Sequence, residues 1–268
     1  YVNAPAGSKV GKVFDKKVLF IHDIGDGGAK SDKFKRDISL LEKGLEEEPN
    51  NTRYYFYLGN SYRDYGELDK AIATYLKEMS LNSWAQEKFC ACMSVGNIYK
   101  KKEDMVNAVK YWLKSNDFDN ERIEGIVDAA EYYRLTGDNL AVNMLYNKHK
   151  DYKRMSTVNK LFVQQDKYWD MLEYQQSISA YYVNNAESGY LCCKQILLNS
   201  IMSLSLLHST LSNMKFYKDF LLKDSIEVKE QLLIKVDSLL EKLALDKKDD
   251  EIWSLLNSIC VNCLKYNI

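Results

Sequence analysis

The residues best suited to chemistry lie in a glycine-rich, charged loop near the start of the chain. Residues 22–37 read His-Asp-Ile-Gly-Asp-Gly-Gly-Ala-Lys-Ser-Asp-Lys-Phe-Lys-Arg-Asp and run into a predicted helix that Ser31 or Asp32 can cap. Backbone N–H groups, lysines and a helix N-terminus can together bind a phosphate group. The loop matches neither the Walker pattern nor the dinucleotide-binding fingerprint. A flexible connector with solvated charges is the alternative that these residue types favour.

The spacing of cysteines and histidines predicts no metal site and no nucleophilic catalysis. Cys260 and Cys263 have Cys-x-x-Cys spacing, but the sequence supplies no second pair of ligands. Cys192 and Cys193 are neighbours on a predicted helix and therefore point in different directions. None of the three histidines has a spacing that implies a pair with serine or cysteine. We therefore predict no catalytic residue and no metal ligand.

The elements that would position a binding site are helical repeats, and residues 52–81 contain a complete one. Its aromatic and small residues occupy the packing positions of a tetratricopeptide repeat, namely Tyr55, Leu58, Gly59, Tyr62, Ala71 and Tyr75. Gly59 and Ala71 are predicted to be small because two helices cross closely there. Gly66 is predicted to end the first helix in the left-handed conformation.

The same pattern recurs twice further along the chain. The corresponding residues are Val95, Gly96, Tyr99, Ala108 and Trp112, and then Asp128, Ala129, Tyr132, Ala141 and Leu145. One insertion near residues 82–87 explains why the first step is longer than the nominal repeat of about 34 residues. Residues 36–50 are predicted to form a helix that caps the stack. The predicted fold is all-α, a tetratricopeptide-like solenoid with a short extended or β-like N-terminal arm.

Three regions are predicted along the chain. They are an arm and glycine-rich loop over 1–36, the repeats over 37–153, and divergent repeats with a C-terminal cap over 154–268. In the last region an antiparallel helix pair is predicted, with Gly189 at its close approach. The predicted helices of this region are 160–182, 187–198, 209–222, 226–245 and 251–264.

Stacked repeats place their first helices along a concave surface, and repeat positions predict which side chains line it. The predicted groove residues are Arg53, Phe56, Asn60, Arg63, Asn97, Lys100, Lys101, Tyr133 and Arg134. This mixture suits an acidic or an extended peptide, and a merely solvated inner face is the alternative. Asn60 and Asn97 resemble the asparagines with which chaperone-binding repeats hold a terminal carboxylate. Phe56 stands where that clamp has a lysine, so the clamp itself is not expected.

Composition narrows the classes of partner and compartment. A formal net charge of −1 gives no general attraction for nucleic acid or anionic membranes. No apolar run approaches the roughly 20 residues of a membrane helix. We therefore predict binding neither to nucleic acid nor to a membrane. Six cysteines in a large helical chain are more typical of small buried side chains than of disulfides. We therefore predict a soluble protein of a reducing, cytoplasmic compartment. Because the chain starts at Tyr1 in mid-pattern, we also expect it to be part of a longer polypeptide.

Three stretches carry a resemblance to a known family. They are YVNAPAGSKVGKV at the start, residues 22–89 with the segment NSYRDYGELDKAI, and AYYVNNAESGYLCCKQILLN at 180–199. With these stretches the chain resembles the C-terminal part of family-2 glycosyltransferases that carry tetratricopeptide repeats after the catalytic domain, including bacterial and large-DNA-virus forms. The resemblance extends from the first residue to about Tyr217.

The resemblance implies a catalytic domain upstream, with an Asp-x-Asp metal motif, a nucleotide-sugar and a divalent metal. This sequence shows no doubly wound sheet pattern that could carry such a motif, so the chain alone is not expected to transfer sugar. By resemblance, the segment returning from that domain contains residues that could reach the diphosphate. They are His22, Lys30, Ser31, Lys33 and Arg36.

The resemblance implies that the repeats recognise an acceptor protein or dimerise the enzyme. The partner would bind as a protein or peptide on the concave face. The alternative is a stand-alone peptide-binding scaffold without an enzymatic parent. A homodimer seam along the C-terminal helices is a third reading.

Overall fold

The computed structural model describes residues 33–152, 160–199 and 204–242, and every regular element within these ranges is helical. The α-helices are α1 Lys33–Glu47, α2 Thr52–Tyr65, α3 Leu68–Ser80, α4 Ala85–Lys101, α5 Met105–Ser115, α6 Glu124–Leu135, α7 Asn139–His149, α8 Met171–Tyr182, α9 Ala186–Asn199, α10 Leu204–Met214, α11 Lys218–Lys223 and α12 Ile226–Lys242. Short 3-10 turns occupy Gln165–Tyr168 and Lys215–Tyr217. The predicted helical-repeat fold is confirmed. The predicted arm and the helix at 251–264 lie outside the described residues.

The helices stack in chain order, as a solenoid requires. Each helix from α1 to α9 packs against its neighbours in sequence, and α2 also contacts α4 while α6 contacts α8. The pairs α2/α3, α4/α5 and α6/α7 are the three predicted repeats. Helix α1 packs against α2 at the position expected for a cap. It begins at Lys33, so Lys33 and Arg36, which the sequence analysis assigns to the arm over 1–36, belong to this helix.

Small residues allow the close helix crossings, as the repeat pattern predicted. A Cβ atom on Gly59 would lie 2.6 Å from Cε1 of Tyr75, and one on Gly96 would lie 2.5 Å from Cδ1 of Trp112. Ala71 and Ala108 are completely buried. Each glycine thus makes room for the aromatic ring of its own repeat.

The end of helix α2 also follows the prediction. Gly66 has φ +96°, and its N–H donates to the carbonyl oxygens of Tyr62 and Arg63. Because an L-residue pays a steric cost in this region, glycine is the favoured residue here. The turn sends the chain directly into α3.

A fourth helix pair, α8/α9, continues the stack, but its close contact is made differently. Ser177 precedes Gly189 by twelve positions, the same separation as Gly59 from Ala71. The close approach at Gly189 is made by Tyr217, since a Cβ atom there would lie 2.2 Å from Cζ of that ring. The Tyr217 hydroxyl donates to the Ser177 carbonyl at 2.6 Å, which fixes the ring beside the pair.

Two predicted helix boundaries in this region are wrong. The helix predicted over 160–182 begins only at Met171, because residues 160–168 instead make polar contacts to earlier repeats. The helix predicted over 209–222 is interrupted by the 3-10 turn Lys215–Tyr217, which places Tyr217 against Gly189. Tertiary contacts override the local helical pattern at both places.

We expect Gly125→Ala to destabilise the fold by between about 1 and 3 kcal/mol, because the new methyl group overpacks a closed crossing. Its Cβ would lie 2.2 Å from the backbone oxygen of Trp112, which cannot rotate away. Gly44→Ala is the matched control, since its Cβ would meet only the Tyr54 ring at 3.0 Å. Urea denaturation of both variants checks the prediction, and equal midpoints would contradict it.

None of the described helices is long and apolar enough to span a membrane.

Candidate binding cavity

A cavity of about 370 Å³ lies between helices α2 and α4. Its described lining comes from these two first helices, from Arg122 just before α6, and from the long connection between α7 and α8. The lining residues are Phe56, Asn60, Arg63, Asp64, Phe89, Cys90, Met93, Ser94, Asn97, Arg122, Phe162 and Gln164. The volume is at the lower end of the range of about 300–1,000 Å³ that is common for small-ligand sites.

Two asparagines in equivalent repeat positions line this cavity in the same way. The Tyr75 hydroxyl donates to Oδ1 of Asn60 at 2.7 Å. The indole N–H of Trp112 donates to Oδ1 of Asn97 at 2.9 Å. In each repeat, the glycine before the asparagine leaves space for the aromatic ring of the second helix. The hydroxyl or indole N–H of that ring then donates to the asparagine amide oxygen.

The hydrogen bonds also determine which way each amide points. Trp112 can only donate, so its partner atom on Asn97 is the amide oxygen. The Arg63 guanidinium can also only donate. Its Nη1 donates to Oδ1 of Asn60 at 3.4 Å. The Tyr75 hydroxyl accepts from Nη1 of Arg63 at 3.4 Å, so its own hydrogen is available to donate to Asn60. The Nδ2 groups of both asparagines therefore remain as donors, and neither bonds to a described protein atom.

The cationic groups of the cavity are already neutralised within the chain. Nε of Arg63 lies 2.8 Å from Oδ1 of Asp64. Nη2 of Arg122 lies 2.7 Å from Oε1 of Glu124, and both of these side chains are buried. Paired charges attract an additional anion only weakly. The cavity therefore offers amide donors and apolar surface rather than net positive charge.

Residues 160–168, which we call the strap, lie against the second and third repeats. Lys160 pairs with Asp119 and, at 3.1 Å, with Glu121. At the other end, Nζ of Lys167 lies 2.6 Å from Oδ1 of Asp128. Burial alone would raise the pKa of the Asp119 carboxyl, but hydrogen bonds from Lys160, Gln86 and the Glu121 N–H hold it below its usual value. The strap is thus fastened at both ends by charged pairs.

Arg122 joins the beginning of the strap to the repeats. Its Nη1 donates to the Leu161 carbonyl at 2.8 Å and to Oε1 of Gln86 at 2.9 Å. Its Cζ lies 3.7 Å from the centroid of the Phe89 ring. The Tyr168 hydroxyl completes the network by donating to Oε2 of Glu124 at 2.7 Å. A single buried guanidinium therefore holds two repeats and the strap together.

Four of the predicted groove residues meet at this cavity, and five do not line it. Phe56, Asn60, Arg63 and Asn97 belong to the lining, with Phe56 almost completely buried. That these residues bind a ligand stays a prediction.

The five remaining groove residues have other surroundings. Arg53 pairs with Glu87 at 3.9 Å, and Nζ of Lys100 lies 5.7 Å from the Trp112 ring centroid. Lys101 is exposed, and Tyr133 packs against the α6–α8 core. Nε of Arg134 donates to Gln175 at 2.6 Å.

The residues predicted to approach a diphosphate fall partly outside the described chain. His22, Lys30 and Ser31 lie outside the described residues. Lys33 and Arg36 are exposed on α1, where Nε of Arg36 lies 3.8 Å from Oδ1 of Asp37. Their role at a nucleotide stays a prediction.

The sequence-based list missed Arg122, Phe162 and Gln164, and it also missed Phe89, Cys90 and Ser94 on α4. The spacing Arg122-x-Glu124 indicates a local ion pair, but neither repeat positions nor composition show that it is buried. Phe162 and Gln164 lie on the strap, whose path depends on contacts distant in sequence.

Acidic and thiol groups near the cavity are occupied by structural contacts. Asp117 and Asp119 have Asp-x-Asp spacing, but they lie in a helix connection where Asp119 accepts from Gln86 and Lys160. Burial raises the pKa of the Cys90 thiol to about 11, although Arg122 is close. Within the described ranges, no group of three His, Cys, Asp or Glu side chains could hold a metal ion.

Comparison with known proteins adds a general likeness only. No protein-family model matches the chain, and no curated protein sequence matches it.

Similar solved structures include the following three. The MamA protein is 13% identical, with 70% of this chain and 86% of that chain covered and a TM-score of 0.42. The C-terminal part of a TPR repeat-containing protein from Cytophaga hutchinsonii is 15% identical, with 87% and 92% covered and a TM-score of 0.46. A tetratricopeptide repeat protein from Parabacteroides merdae is 11% identical, with 85% and 92% covered and a TM-score of 0.47. At these TM-scores the fold assignment rests on the packing of the chain itself.

Proposed function

We propose that this chain is a protein-interaction module that binds an extended polypeptide segment in the cavity between α2 and α4. The observation that carries the proposal is the pair of oriented amides. Asn60 and Asn97 occupy equivalent repeat positions, their oxygens accept from Tyr75 and Trp112, and their Nδ2 groups bond to no atom of the described residues. An extended peptide presents backbone carbonyl groups at regular intervals, which are the acceptors that such donors need.

The design of the site favours binding over catalysis. Both amides are fixed by buried rings, so little side-chain entropy is lost when a ligand binds. The acid and thiol groups close to the cavity already have partners or raised pKa values. A rigid hydrogen-bonding surface on stacked helices is the usual arrangement of a helical-repeat binding module.

We expect Asn60→Asp and Asn97→Asp to weaken peptide binding by at least about tenfold each, the cost of losing a hydrogen bond and leaving a ligand carbonyl unpaired. Aspartate retains an oxygen for Tyr75 or Trp112 but replaces the Nδ2 donor with a second acceptor. The probe is a peptide isolated from a random displayed library on the unmodified chain, with its affinity measured by fluorescence anisotropy.

Asn147→Asp is the matched control, because Asn147 is exposed on α7 outside the cavity and its replacement adds the same charge. Circular dichroism checks that all variants keep the fold. Unchanged affinity in both cavity variants, or an equal loss in the control, would refute the proposal.

A second candidate follows from the sequence resemblance quoted above. The chain would then be the repeat region of a nucleotide-sugar-dependent glycosyltransferase whose sugar and divalent metal bind in an upstream domain. Its repeats would recognise an acceptor protein or form a homodimer. Translation of the codons upstream of Tyr1 tests this candidate directly. An open reading frame there without an Asp-x-Asp-bearing strand–helix domain would exclude it.

A further inference from the structure

The strap presents one large apolar side chain at the edge of the cavity. Phe162 is 67% exposed, while its neighbours Leu161 and Val163 pack against the cores of the earlier and later repeats. Its backbone has φ +48°, a left-handed conformation that costs a non-glycine residue energy. Strain of this kind persists where the surrounding contacts enforce it, and it is concentrated at binding sites.

The strap fixes the position of this ring before any partner arrives. The Leu161 N–H donates to Gln86 at 3.3 Å, and the Leu161 carbonyl accepts from Arg122 at 2.8 Å. These bonds hold both backbone polar groups of the residue immediately before Phe162. An exposed ring on a fixed backbone binds with a smaller loss of conformational freedom than one on a mobile loop.

The charges around the cavity indicate what kind of side chain would meet this ring. Arg63 and Arg122 are paired with Asp64 and Glu124, so they do not require an acidic ligand. Phe162 adds a large exposed apolar surface beside the two amide donors. The site therefore combines donors for backbone carbonyls with an apolar contact for one side chain, in a volume of about 370 Å³.

We propose that the ligand of this cavity is a linear peptide whose defining feature is one aromatic or large aliphatic side chain that packs on Phe162. This inference rests on the proposed function and specifies the chemistry of its partner. Phe162 is the specificity-determining residue, and Asn60 and Asn97 bind the peptide backbone. Acidic groups on the peptide are not required.

The test is selection of random displayed peptides on the unmodified chain, followed by affinity measurement on variants. We expect the enriched peptides to share an aromatic or large aliphatic position and to show no acidic preference. Phe162→Ala is expected to lower affinity by about tenfold or more, as loss of a buried apolar contact requires. Phe162→Tyr keeps the ring and is expected to bind within about threefold of the unmodified chain.

Phe216→Ala is the matched control, since Phe216 is 64% exposed but lies after α10, outside the cavity lining. Enriched peptides that share acidic positions and bind Phe162→Ala normally would overturn this inference while leaving the proposed function intact. Failure of the unmodified chain to enrich any peptide would overturn both. Loss of binding in Phe216→Ala equal to that in Phe162→Ala would also overturn the inference.

Discussion

Arg122→Met is expected to lower the free energy of unfolding by roughly 3–5 kcal/mol, the cost of breaking a buried ion pair from one side. Arg122 is 2% exposed and Glu124 is fully buried, so the remaining carboxylate would have no cation beside it. The carbonyl of Leu161 and the amide oxygen of Gln86 would lose their shared donor as well. Guanidinium denaturation followed by circular dichroism measures the loss.

A double variant separates this mechanism from a simple loss of packing. Arg122→Met combined with Glu124→Leu removes both charges, and it is expected to be more stable than Arg122→Met alone. Arg36→Met is the control for replacing an arginine by methionine, because Arg36 is exposed on α1. If the double variant were less stable than Arg122→Met, the uncompensated charge would not be the cause.

The stability of the protein is expected to fall by about 3 kcal/mol between pH 4.5 and pH 7 because of Glu78. This side chain is fully buried, and neither carboxylate oxygen has a hydrogen-bond partner. Burial, with nearby Glu87, raises the pKa of Glu78 from 4.5 to about 7. Between these values the unfolded chain releases a proton that the folded chain retains, so rising pH favours unfolding. Above pH 7 both states are ionised and the loss levels off.

Glu78→Gln removes this titration without changing the shape of the side chain. Relative to the unmodified protein, the variant is expected to gain about 3 kcal/mol of stability between pH 4.5 and pH 8. Glu103→Gln is the control, since Glu103 is exposed. Thermal unfolding over this pH range gives the comparison. A constant difference between Glu78→Gln and the unmodified protein at all pH values would contradict the assignment.

The repeat architecture could be predicted because it depends on residues close in sequence. Gly59 with Tyr75, and Gly96 with Trp112, belong to single helix pairs, so a fixed spacing reveals their contact. The same spacing placed Asn60 and Asn97 on one face. It could not show that Tyr75 and Trp112 hold the two amide oxygens, since this depends on side-chain orientation.

The strap could not be predicted because its path is determined by distant partners. Lys160 meets Asp119, and Leu161 meets Gln86, which is 75 residues away in sequence. From local pattern alone, 160–182 resembles a helix, and the contacts of the strap override that preference. The sequence predicts a close approach at Gly189 within the pair α8/α9. The ring that approaches Gly189 is that of Tyr217, which lies outside this pair, so the local pattern could not reveal it.

The response of the asparagine side-chain amides to a bound peptide shows directly whether these amides bind the peptide. In a ¹⁵N–¹H spectrum of protein labelled at asparagine, a peptide selected on the unmodified chain is added stepwise. We expect the side-chain amide signals of Asn60 and Asn97 to shift together and to stop shifting at the concentration where binding saturates, while that of Asn147 stays in place. A saturating peptide that leaves both cavity signals unmoved would contradict this expectation.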